Sequence, residues 1–577
     1  MKPVARINFF LLCLLLTISL ITYRLFNLTY TQHSAFVKSA QSQYNNPSAL
    51  LAGRGNIYFS DPSSNKGKIL AATNKPSFYI YSNNKSVDSP HDEALKLGAI
   101  LNKDSSGLEA QLSDKNKTYN VISEGLNKGQ ADQVKALKLK GISVANEIAR
   151  FYTQGTLAAP VLGFVGFDGN QRTGQYGIES YYDSVLSGEK RTLSIFGNKT
   201  YSGLLNFFSF LNKQKDTPKA SENSDGSDVV LTIDKNIQSL VEVKLGILLK
   251  KWSAASGTII VEDPNSGEIL ALASSPSFDP NNYADYKLGD FLNPNVQQIF
   301  EPGSSFKPIT MSAAVDTGVV TPDTTYTDTG EARFGTYIIK NFDEKAHGVQ
   351  TMRQVLEHSL NTGAMFAQDK TGDDKFLNYV VGFGFGQKTG VDLSGEISGN
   401  ITNLYSGRKI NFATASYGQG IAVTPLQLVN AFSAIANGGK LMWPHLVKEI
   451  INFDGTEVAT KPKVIGSPIT EKTSQQLKSM LVDVVDKGFD KARISGYDVA
   501  GKTGTAQIPD GKGHYLDNNQ FVHDFVGFAP AYSPRFVILI KMDKPKGITF
   551  ASDSLSPMFG DIARFLIRYF NLPPTRQ

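Results

Sequence analysis

Three short blocks restrict the fold of this chain more than any other feature: Ser304-Ser305-Phe306-Lys307, Ser359-Leu360-Asn361 and Lys502-Thr503-Gly504-Thr505. Together they supply a serine with a lysine three residues on, a second serine with an asparagine, and a late cation flanked by hydroxyls. Such groups perform acyl transfer only if they meet in one cleft, so the fold must close long intervening stretches around them. No block is specific alone. S-x-x-K recurs at Ser63, Ser82, Ser187 and Ser406, K-T-G at Lys370 and Lys388, and S-x-N at Ser63, Ser82 and Ser221.

Context separates the candidates. Ser304 follows the turn Glu301-Pro302-Gly303 and opens a run (Phe306, Ile309, Met311, Ala313, Ala314, Val315) that buries a face as a helix. Pro308 falls in the first turn, where no amide donor is needed. Lys307 lies one turn along from Ser304, on the same side. Ser63 and Ser82 sit in polar loops, Ser187 and Ser406 adjoin glycine turns, and Lys370 and Lys388 read as loops.

A serine hydroxyl needs a base, and a lysine serves as one only when neutral, which requires burial or a nearby cation. Lys502 is the candidate cation. Ser359, at the end of a helix-like run through Met352, Val355 and Leu356, can relay a proton, and Asn361 can bind a substrate amide; a plain helix C-terminus is the competing reading. Lys502, Thr503 and Thr505 on an edge strand suit a substrate carboxylate, and Gly504 allows close backbone approach. There is no G-x-S-x-G elbow. The seven histidines are scattered without an H-E-x-x-H, so no metal or other cofactor is expected. His523-Asp524, ahead of a strand, reads as a structural polar pair.

The rest of the chain divides around this site. At 577 residues it exceeds one core and predicts about two to four domains. A net charge of +5 is small for that length and argues against a nucleic-acid binder. The one cysteine, Cys13, excludes internal disulfides and cysteine-held metals. Cys13 lies in the apolar run Ile7 to Tyr23, which follows Lys2 and Arg6 and extends, past Arg24, to Leu28. This predicts a cytoplasmic tail (1–6), a single transmembrane anchor (7–28) and an extracytoplasmic remainder. The competing reading, a cleaved signal, lacks an A-x-A-like site.

Residues 29–228 are expected to form one domain in which helix-like and strand-like pieces alternate. Among its strand signals are Asn56–Phe59, Ile69–Ala72 and Ser77–Tyr81, and it ends in the polar linker 213–228. Residues 229–577 are expected to be α+β. Their strand signals are Val229–Ile233, a hairpin of Gly257–Val261 with Glu268–Ala273, and a pair Phe525–Ala529 with Phe536–Met542. A helix capped by Asp234 and an amphipathic helix over 557–570 cover the sheet.

With order and context in place, the chain resembles the class B penicillin-binding proteins, whose S-x-x-K, S-x-N and K-T-G combination is a known signature. Further matches are Arg54-Gly55-Asn56-Ile57, Arg150-Phe151-Tyr152 with Gly155, Gly174 to Glu179, the hairpin from Asp263-Pro264, and Tyr417-Gly418-Gln419-Gly420 through Gln427. The chain departs from the family pattern at Phe59-Ser60 and Thr153. The resemblance implies an elongated β-rich pedestal and a transpeptidase domain. It also implies crosslinking of peptidoglycan stem peptides with release of D-alanine, through Ser304 as nucleophile, Lys307 as base, Ser359 as shuttle and the Ser304 and Thr505 amides as oxyanion hole. β-Lactams are implied as ligands, and a SEDS-type membrane glycosyltransferase as partner. The stretch Phe383–Leu393 with Glu396 fits division and elongation types alike, and the division type is favoured. A D,D-carboxypeptidase or β-lactamase-like hydrolase on the same residues, and a non-catalytic β-lactam receptor or scaffold, are the alternatives.

Overall fold

The computed structural model describes residues 3–27, 32, 53–168, 171–187, 225–488, 490–508, 515 and 520–576. The start of the expected domain 29–228, up to residue 52, falls outside these residues except at Gln32, and most of the linker 213–228 and anchor residue Leu28 also fall outside. The leader forms the helix Pro3–Phe26. Its described apolar side chains, Leu11, Leu12, Leu14, Leu15, Leu16, Ile18 and Ile21 among them, are exposed. Among the described residues no helix is long and apolar enough to cross a membrane.

The chain partitions into two compact units. In the first, residues 74–149 build three helices, Pro90–Leu101, Ser105–Ser113 and Lys128–Ala136, against strands that include Asn120–Leu126. Ile80, Leu97, Leu108, Leu112, Ile122 and Val134 form their core. This segment mixes helix with strand and is not chiefly β. The signals at Ile69 and Ser77 belong to one continuous strand, Lys68–Ser82. Extended backbone persists through Pro76, whose fixed φ suits a strand as well as a turn.

The second unit holds residues 54–73, 150–187 and 226–577. Its central sheet has the order 500–507, 521–529, 536–543, 256–262 and 269–275, antiparallel throughout. Strands from the two ends of residues 229–577 thus meet in one sheet, as their places in the sequence suggest. Residues such as Ile259, Val261, Phe525 and Ile538 bury one face under the helices Lys235–Trp252 and Ser556–Tyr569. Asp234 caps the first of these, its carboxylate accepting from the amides of Asn236 (2.8 Å) and Ile237 (3.1 Å). The strand Asp228–Asp234 joins a different sheet instead, parallel to Ile57–Ser60 and antiparallel to Val447–Ile451.

Three of the motif segments converge within this unit on Glu179. Its buried carboxylate accepts from Arg54 Nε (2.7 Å), Arg150 Nε (2.6 Å) and Tyr152 Oη (3.2 Å). Arg54 also reaches Asp183 at 2.7 Å. Two guanidinium groups hold the Glu179 carboxyl below its usual range despite burial, which alone would raise it.

Candidate active site

The first block forms a 3-10 turn, Gly303–Phe306, that runs into the α-helix Lys307–Asp316 with Pro308 in its first turn. In 3-10 geometry side chains three residues apart eclipse, so Ser304 and Lys307 share a side. Ser304 is half-buried, and Lys307 is fully enclosed.

Ser359-Leu360-Asn361 links two helices. Ser359 follows Met352–Glu357, and Asn361 opens Asn361–Thr371 rather than closing the preceding helix. Ser359 adopts a left-handed backbone (φ 56°), a conformation that costs a non-glycine residue about 1–3 kcal/mol and recurs at functional sites. There its carbonyl accepts from Lys307 Nζ, and its Oγ lies 3.2 Å from the same nitrogen. Asn361 donates through Nδ2 to Lys340 O at 2.9 Å, so the group it can present to a substrate N–H is its carbonyl oxygen.

The third block lies in the edge strand Ala500–Gln507. Lys502, fully buried, places Nζ 3.1 Å from Ser359 Oγ. The structure therefore brings Lys307, Ser359 and Lys502 around one hydroxyl. Burial pushes the Lys307 amine well below the ordinary lysine range, and the Lys502 charge pushes it further. Burial also lowers Lys502, to about 7, against the opposing pull of Asp524.

Close backbone packing seats the nucleophile turn against this strand. A Cβ on Gly303 would stand 3.0 Å from Thr505 O. One on Gly504 would stand 2.4 Å from Pro302 O and 2.1 Å from Asp524 Oδ2. Glycine is therefore required at 504. Thr503 is buried, and Thr505 Oγ1 accepts from the Ala551 amide at 3.2 Å.

The 417–420 segment clamps the other side of the turn. Gly303 N donates to Gly418 O at 3.0 Å, and the Glu301 carboxylate accepts from Gly420 N and Tyr515 Oη, each at 3.0 Å. Glu301 and Asp524 escaped sequence reasoning as parts of the site, since their partners are remote in the chain. Of the competing matches, Lys388 lies in a loop, whereas Lys370 is helical, in the last turn of Asn361–Thr371. Gly372 (φ 84°) caps that helix, so the K-T-G there marks a helix end. Among the described residues no cluster of His, Cys, Asp and Glu is suited to a metal.

Residues 257–564 match the penicillin-binding protein transpeptidase domain, and residues 49–231 match the penicillin-binding protein dimerisation domain. Stage V sporulation protein D of Bacillus subtilis is 35% identical over 525 residues, covering 88% of this chain and 78% of that one. The probable peptidoglycan D,D-transpeptidase PbpC of Pseudomonas aeruginosa is 31% identical over 500 residues, covering 86% and 84%. Among solved structures, penicillin binding protein 3 from Mycobacterium tuberculosis in complex with aztreonam superposes with a TM-score of 0.68 at 26% identity, covering 91% of this chain and 98% of that one. The chain belongs to the class B penicillin-binding proteins, with a dimerisation domain followed by a transpeptidase domain.

Proposed function

We propose that Ser304 is the nucleophile through which this serine-type peptidoglycan D,D-transpeptidase crosslinks stem peptides. Ser304 Oγ attacks the carbonyl between two terminal D-alanines, and its proton passes to the neutral Lys307 amine. Ser359 relays that proton to the departing amine, so D-alanine leaves and an acyl-enzyme remains. The amine of a neighbouring stem then displaces Ser304 and forms the crosslink. The amides of Ser304 and Thr505 stabilise the oxyanion, an interaction whose loss costs about 3–4 kcal/mol in other acyl-transfer enzymes. Lys502, Thr503 and Thr505, on the strand with Gly504, hold the terminal carboxylate, and Asn361 receives a substrate amide.

The observation that carries this reading is the position of Ser359 Oγ, within 3.2 Å of Lys307 Nζ and 3.1 Å of Lys502 Nζ. A hydroxyl between two buried amines of unequal charge is placed to pass protons. β-Lactams, which resemble D-Ala-D-Ala, acylate the same serine; the aztreonam and ampicillin complexes of the mycobacterial protein support this.

The further elements of the proposal are a tail (1–6), a single membrane anchor (7–28), a pedestal (29–228) and an extracytoplasmic catalytic domain (229–577). The exposed leucines and isoleucines of Pro3–Phe26 support the anchor. Anchor and pedestal engage a SEDS-type glycosyltransferase, and the enzyme is of the division type.

Detergent-solubilised full-length protein labelled with a fluorescent penicillin and mapped by mass spectrometry tests the site. The label is expected on Ser304, stoichiometric and slow to turn over. Ser304→Ala loses it with an unchanged melting curve. Label on another residue refutes the assignment, and sustained hydrolysis of penicillin makes the protein a hydrolase.

A further inference from the structure

Asp524 is a fully buried carboxylate on the strand Phe521–Ala529, and neither of its oxygens accepts a hydrogen bond among the described residues. Burial raises its carboxyl, to about 7, against the Ser305 hydroxyl and the charges of Lys502 and Lys541, which favour the ionised form; the Ser305 hydroxyl directs its own bond to Pro302 O at 2.8 Å. A buried carboxyl with so few donors stays protonated, as an isolated one would, unless a counter-ion lies beside it.

Strand register identifies that counter-ion. Asp524 pairs across the ladder with Gly504 and, on its other side, with Lys541. Directly paired residues share a face, and so do residues two apart, so Lys502, Gly504, Asp524 and Lys541 all project to one side. With no side chain at Gly504, the carboxylate fills the space above it, within the diagonal reach of a lysine. Lys541 has its own partner, an ion pair with Asp543, and lies 5.2 Å from the Phe300 ring centroid. Lys502 donates to Ser359 Oγ and to Thr503 O, and the Lys307 amine lies 3.2 Å from the same Ser359 oxygen.

We propose that Asp524 is a positioning residue for acyl transfer: its carboxylate is the counter-ion that keeps Lys502 charged, and through that charge keeps the Lys307 amine neutral. The inference deepens the proposed function and rests on its assignment of Lys307 and Lys502. The two lysines have opposite tasks. Lys307 accepts a proton only when neutral, and Lys502 holds a carboxylate only when cationic. Burial drives both towards neutrality, so something must distinguish them, and Asp524 acts on one of the two.

Other ionisable groups around these strands are engaged elsewhere. His523, the neighbour of Asp524, points to the opposite face, towards Ser554 Oγ and Thr549 O. Asp486 pairs with Arg576, Asp553 with Lys491, and Asp561 with Arg564 and Lys244. The helix Glu471–Asp483 contributes Lys478, which burial lowers and Glu471 raises. The helix Pro425–Ala436 contributes no ionisable group.

The test is the pH profile of the second-order rate of Ser304 acylation by penicillin, measured on full-length wild type, Asp524→Asn and Asp524→Ser. In the wild type the acidic limb reports Lys307 losing its proton and the alkaline limb reports Lys502 losing its own. Without Asp524, the alkaline limb moves down by about one pH unit or more, the effect of an opposite charge at short range. The acidic limb moves up, because Lys307 no longer faces a cation. The bell narrows from both sides, and the rate at pH 7.5 falls about tenfold.

A purely structural role lowers the rate at every pH or lowers the melting temperature while leaving both limbs in place; that result overturns the proposal. The serine variant, which adds no amide donor beside the lysines, provides the comparison if the asparagine variant fails to fold. A wild-type Ser304 that penicillin never acylates sinks the proposed function itself. A normal wild-type bell reproduced unchanged in the variants sinks only the role of Asp524.

Discussion

Glu262 offers a test of the catalytic domain's energetics remote from its chemistry. It ends the strand Ser256–Glu262 with its side chain fully buried, and neither oxygen accepts a hydrogen bond among the described residues. Burial pushes its carboxyl up to about 8; the nearby Ser433 hydroxyl opposes this, and the Asp263 charge adds to it. An unfolded glutamate titrates near ~4.3. Between these values the folded protein keeps a proton that the unfolded chain has released, so stability falls as pH rises through the window and is flat outside it. At about 1.4 kcal/mol per unit, the loss reaches roughly 3–4 kcal/mol by pH 7. Glu262→Met fills similar volume and removes the titration. Its stability advantage over the wild type is expected to grow steadily from pH 5 to pH 8. At about 2–4 °C per kcal/mol for a domain of 150–250 residues, the melting point at pH 8 should rise by several degrees and the shift at pH 5 should be small. Melting full-length protein at four or five pH values is sufficient. A difference that stays constant across the range, or a variant that melts lower at pH 8, means the carboxyl is ionised and paired, and the argument fails.

Two further perturbations probe the packing around the site. Glu179→Gln leaves Arg54 and Arg150 without their shared carboxylate and should cost about 3–5 kcal/mol in urea unfolding of the cooperative unit; a loss under about 1 kcal/mol would falsify the central role of that hub. Gly504→Ala drives a methyl group to within 2.1 Å of Asp524 Oδ2 and 2.4 Å of Pro302 O, so the strand and the nucleophile turn must separate. Penicillin acylation should slow by at least about a hundredfold, the scale expected of an ångström-sized misplacement, and an acylation rate matching the wild type refutes the close seating.

The legible parts of this protein were those in which local chemistry and global fold agree. Ser304 and Lys307 stand one turn apart ahead of an apolar helix, and Asp234 caps the helix that follows it. The strands at 256–275 and 521–543 are short apolar runs that announce a sheet made from both ends of residues 229–577. Features fixed by distant partners were not legible. Nothing local marks Ser359 as left-handed, because the conformation is held by tertiary contacts with Lys307 and Lys502. Glu301 acquires its role only when Gly420 and Tyr515 reach it.

His523-Asp524 is the most informative case. Adjacent in sequence, the two invite reading as one polar pair, yet the two-residue period of a strand sends neighbours to opposite faces. His523 meets Ser554 on one side of the sheet, while Asp524 shares the other side with Lys502 and Lys541. Once 521–529 is known to be a strand, the pair separates on geometry alone. An acid that lies on the face of Lys502, opposite a residue without a side chain, is then placed to act on the cleft, and the pH profiles of the Asp524 variants decide between that role and a structural one.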